Sequence, residues 1–144
     1  MNQGDTTAST IVAQSLRDSP EFAALKSTEF APGLLWDRVD GDAELLHRLV
    51  VIFTSQYPEL LLQMEKAIAQ QESGMLWHAS HKMKGSALQL SAAGAVALAG
   101  NLEAMGAAGS LAGAAEILAN LEAEIHSLLE KLNLMIAAAR NSAR

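Results

Sequence analysis

A chain of 144 residues fits one domain with a real core, and half of its residues are apolar while only six are aromatic. That balance favours helices packed through small and medium aliphatic side chains over a sheet of β-branched and aromatic ones. The formal charge of −6 argues against a general nucleic-acid binder, and the absence of cysteine excludes disulfide and thiolate chemistry.

No basic-then-apolar leader and no apolar run of about 18 residues is visible, so the expectation is a soluble, cytoplasmic protein without membrane contact. Residues 1–20 are polar and small and are expected to form a flexible tail, with residues 21–144 as the folded domain. A short helix is predicted from Glu21 to Leu35, broken near Pro32-Gly33.

Asp42 makes a good N-cap for the first long helix. Leu45, Leu46, Leu49, Ile52 and Phe53 follow it at helical spacing, and Leu61, Leu62, Met64 and Ile68 carry the stripe past Pro58. One long, bent helix over 42–70 is expected. Ser73 or Gly74 opens the next helix, with Leu76, Ser80, Met83, Ala87 and Leu90 facing inward. Ser91 can cap a third, carrying Val96, Leu98, Leu102 and Met105 and closed by Gly106 and Gly109. From Ser110 a last helix carries Leu111, Ile117, Leu118, Leu121, Ile125, Leu128, Leu129 and Leu132. Short connections between long helices place neighbours antiparallel. The predicted fold is all-α: an antiparallel up-and-down four-helix bundle with one or two short N-terminal helical segments.

The segment His78-Ala79-Ser80-His81-Lys82-Met83-Lys84-Gly85-Ser86 carries the chemistry. Positions three and four apart share a helix face, so His81, Lys84 and Gly85 cluster at the edge of the inward stripe. A neutral imidazole is a nucleophile near pH 7 and forms covalent intermediates. A lysine offers a point charge to a phosphoryl group. Glycine costs roughly 1 kcal/mol against alanine inside a helix, and its bare Cα admits a close neighbour or an incoming donor. From Gln71 to Gly100 the charged residues are Glu72, Lys82 and Lys84, a local net of +1 in an acidic chain. Such a spot tolerates an anion.

These residues resemble the signature of the histidine-containing phosphotransfer (HPt) family: a His, an apolar residue two later, then Lys-Gly-Ser, here His81, Met83, Lys84, Gly85 and Ser86. Gly41 to Leu46 and Phe53…Tyr57-Pro58-Glu59-Leu60 are similar to the family's second helix, and Leu102-Glu103 to its usual Leu-Glu pair. Where many members have glycine ten residues after the histidine, this chain has Ser91. The resemblance implies that His81 takes a phosphoryl group from a receiver-domain aspartate and passes it to another receiver. The partners would be the receivers of a hybrid sensor kinase or a response regulator. Lys84 would hold the phosphoryl group and Gly85 would give clearance. Glu103 would accept a hydrogen bond from one ring nitrogen and leave the other, Nε2, as nucleophile. Lys82 and Ser86 are secondary candidates. No cofactor is expected on this chain, and Mg²⁺ would belong to the receiver.

Two other readings set the test. A non-catalytic adaptor with this fold would bind receivers without transfer. A metal bundle would use Glu44…His47 or His78…His81, but it needs two E-x-x-H elements and the chain has one.

Overall fold

The protein is described by a computed structural model covering residues 16–142. Two short helices, α1 (Pro20–Leu25) and α2 (Pro32–Arg38), precede four long ones: α3 (Ala43–Ala69), α4 (Ser73–Gln89), α5 (Ala93–Ala108) and α6 (Ala114–Ser142). No strand occurs among the described residues. Each long helix packs on its chain neighbours and α6 closes back on α3, so the expected four-helix bundle is borne out. None of these helices is long and apolar enough to cross a membrane.

The expected tail falls largely outside the described residues, but its last part is packed. Leu16 is buried, Arg17 meets Asp37 through Nε at 2.9 Å, and the Ser19 hydroxyl accepts from Phe22 N at 3.2 Å to cap α1. The helix expected over Glu21–Leu35 is two helices. Pro32 starts the second instead of breaking the first, because proline at the first helical position gives up an N–H that would be unpaired anyway. Phe22 meets Trp36 edge-on at 5.6 Å, joining α1 to α2.

Asp42 caps α3 as expected, accepting from the backbone N–H groups of Glu44 and Leu45 at 3.0 and 3.1 Å. The helix runs unbroken through Pro58, whose exposed position spares the core the missing N–H. Its buried stripe is Leu46, Val50, Phe53, Leu60, Met64 and Ala67, while Leu45, Ile52 and Leu62 are exposed. Helix α4 buries the predicted stripe, Leu76, Ser80, Met83, Ala87 and Leu90.

Helix α5 departs most from expectation. Ser91 is not its N-cap. It has φ 55°, its hydroxyl is buried without a partner, and the helix starts at Ala93. Ser91 instead ends α4 in a Schellman turn: Ala92 N–H donates to Ala87 C=O, and Ser91 N–H to Leu88 C=O, both at 3.1 Å. Gln71 (φ 57°) does the same after α3. The inward face of α5 is Ala95, Ala99, Leu102 and Gly106, with Val96, Leu98 and Met105 half-buried. Gly106 lies inside the helix, and Gly109 with φ 72° ends it alone. The last helix starts at Ala114, not Ser110, and Leu111 plugs the connecting turn.

Candidate functional site

Residues at equal distance from a tight antiparallel turn face each other, and the turn at residues 90–92 sets this register between α4 and α5. Lys84 lies beside Gly100, His81 opposite Glu103, and Trp77 against Gly106. The register brings a carboxylate from α5 onto the imidazole of α4.

Nδ1 of His81 is hydrogen-bonded to Oε2 of Glu103, and Nζ of Lys84 donates to Oε1 of the same carboxylate at 2.6 Å. The carboxylate is thus held at both oxygens. Lys84 first and His81 second hold its pKa below the ordinary glutamate range. Ionised, Glu103 can only accept, so Nδ1 carries the ring proton. Nε2 is then the nitrogen with the free lone pair. The His81 side chain is 57% exposed against 16% for Glu103, so the ring faces solvent while its anchor does not.

The ring is also held on its face. Trp77, one turn before His81, stacks on the imidazole with centroids 5.2 Å apart and planes 7° from parallel. Trp77 is not among the residues expected from the sequence, although helical spacing taken backward from His81 reaches it. Gly106, read from sequence as a helix end, is the seat of this arrangement. A Cβ there would lie 2.6 Å from Trp77 N, 2.8 Å from Ser73 O and 2.9 Å from Trp77 Cα.

On the other flank the site is open. A Cβ on Gly85 would meet nothing within 4 Å. Lys82, Gly85 and Ser86 instead line a groove between α4 and α3, whose far wall includes Ser55, Glu59 and Gln63. The structure therefore joins His81, Lys84 and Glu103 in one contact, sets Gly85 beside it, and turns Lys82 and Ser86 away. His47, His78 and His126 take no part in it. Glu44 of the E-x-x-H element reaches Arg140 at 3.4 Å, and no group of three or more metal-ligating side chains gathers among the described residues.

A family model, described as Hpt domain, matches residues 48–141, which covers most of α3 and α6 and all of α4 and α5. No curated protein and no solved structure matches the chain. With a match over well more than half its length, the chain belongs to the Hpt-domain family, the histidine phosphotransfer modules of two-component phosphorelays.

Proposed function

We propose that His81 is the phospho-acceptor, taking a phosphoryl group from a receiver-domain aspartyl phosphate and passing it to a second receiver. One observation carries this reading: an exposed imidazole has Nδ1 tied to a buried-side carboxylate, which leaves Nε2 as the nitrogen outside that bond.

The chemistry balances without a group from elsewhere on this chain. The Nε2 lone pair attacks phosphorus, the P–O bond to the aspartyl carboxylate breaks, and that oxygen leaves with the bonding pair as carboxylate. The ring then carries phosphorus on Nε2 and a proton on Nδ1. It is cationic, and Glu103 faces the side where that charge must be balanced. Reversal onto a second aspartate expels the neutral Nδ1–H imidazole, so the same hydrogen bond serves both directions. Lys84 sits one turn along, with its ammonium on Glu103, and its positive charge favours a phosphoryl group on the neighbouring ring. Gly85 keeps the approach beside His81 clear. In this reading the Mg²⁺ of the reaction is held by the receiver, the chain acts as a carrier and not as an enzyme, and the reaction belongs in the cytoplasm, where kinases supply the phosphoryl group.

Mixing the protein with a radiolabelled phospho-receiver tests the proposal. Label is expected on the parent and on His78→Gln but not on His81→Gln, and it should be lost in acid and kept in base, as a phosphoramidate requires. Receiver binding with no label on the parent would establish the adaptor reading instead. Label retained by His81→Gln would move the site elsewhere.

A further inference from the structure

We propose that Trp77 is a positioning residue for His81: the indole fixes the plane of the imidazole while Glu103 fixes its edge. The inference rests on His81 being the reacting group.

One hydrogen bond leaves the ring a degree of freedom. The bond from Nδ1 to Glu103 sets one edge of the ring but still allows it to swing about the line joining the two atoms. The Nε2 lone pair lies in the ring plane, so every degree of that swing re-aims the nucleophile. A parallel contact at 5.2 Å removes this freedom, since tilting the imidazole would either open the stack or drive it into the indole. Productive transfer needs reacting atoms held in line, so the second restraint acts on rate.

Trp77 is suited to this role because its own frame is fixed. Its main chain rests on Gly106 so closely that no side chain fits between them, and Gly106 lies on α5, the helix that carries Glu103. Face and edge restraints thus belong to one rigid body. Core packing does not explain the indole, which stays 40% exposed while the bundle's other tryptophan, Trp36, is buried. After transfer the ring is a cation lying against an aromatic face, an attractive arrangement that adds to the role of Glu103.

The test combines a spectroscopic reading with a donor that has no protein surface. In nuclear magnetic resonance spectra of the parent, the His81 ring protons should lie upfield of those of His47, His78 and His126, shifted by the indole ring current. Trp77→Leu should abolish that shift, and Trp77→Phe should keep part of it. With phosphoramidate as the small-molecule donor, Trp77→Leu should take label about 3- to 10-fold more slowly, and Trp77→Phe should recover most of the rate. An unshifted His81 in the parent would overturn the stack. A Trp77→Leu variant slow with a phospho-receiver but at parental rate with phosphoramidate would overturn positioning and make Trp77 a docking contact. The ring shifts need no phosphoryl chemistry, so they report on the stack even if His81 takes no label.

Discussion

The two flanks of α4 use the same residue type to opposite ends. Toward α5, Gly106 lets two helices approach until a single methyl group would strike backbone atoms, and Glu103 and Trp77 are held by that closeness. Toward α3, Gly85 faces a groove where a methyl group would strike nothing. The closed flank fixes the imidazole. The open flank leaves space beside it, which the proposed function assigns to the approach of the phosphoryl donor. A glycine inside a helix therefore has no single meaning, and only the neighbour across the interface decides it.

The largest effect should come from closing the gap that the tight flank needs. Gly106→Ala gains up to about 1 kcal/mol of helix propensity. Its methyl group, however, meets three backbone atoms that cannot turn aside, which puts the cost at the upper end of the about 1–3 kcal/mol typical of overpacking. A net loss of about 2 kcal/mol in urea denaturation is expected, with the Trp77–His81 stack disturbed. A variant as stable as the parent would show that α4 and α5 are not packed this closely.

Next in size is the carboxylate. Glu103→Gln keeps the shape and an acceptor for Nδ1–H but leaves Lys84 without its counter-charge, and transfer should slow by about 10-fold or more, roughly 1.4 kcal/mol. The pH dependence has a definite sign. Because Lys84 and His81 lower the carboxyl pKa in the folded protein, the unfolded chain binds that proton more readily. The stabilisation is therefore present above the ordinary glutamate range and is lost as pH falls through the lowered value. Denaturation of parent and Glu103→Gln should differ near neutrality and converge in acid. A gap that persists undiminished once the carboxyl is protonated would contradict the ion pairing.

Gly85 offers the mirror image of Gly106. Gly85→Ala should raise stability by up to about 1 kcal/mol, since the methyl group enters open space. Gly85→Gln should stay folded yet transfer more slowly with a receiver. Parental rates for Gly85→Gln would mean that the open flank is not the route of approach. The smallest effect is at the turn that sets the α4–α5 register. Ser91 is held at φ 55°, where a side chain is strained, and Ser91→Gly should gain up to about 1 kcal/mol. A loss there would mean that its buried hydroxyl has a partner.

Features contained within one helix were legible from the sequence. His81, Lys84 and Gly85 needed only helical spacing, and Asp42 only the chemistry of capping. Glu103 came from the family pattern; the turn at residues 90–92 places it opposite His81 on physical grounds. Features that depend on two elements were not legible. Gly106 looked like a helix end because glycine usually breaks helices, and its reason lies across the interface at Trp77. Ser91 looked like a cap because serine usually is one, whereas the end of α4 demanded a left-handed residue there. On α3, adjacent apolar pairs such as Leu45-Leu46 leave the phase of the buried stripe undecided, and packing against the other helices chose Leu46.

On the proposed function, the phosphoryl group goes to Nε2 because Nδ1 is occupied by Glu103. Phosphorylated protein labelled with ¹⁵N tests it directly, through long-range correlations between ring nitrogens and ring protons. The expected result is one modified histidine, His81, with phosphorus on Nε2 and a protonated Nδ1. Phosphorus on Nδ1, or on His78, would contradict it.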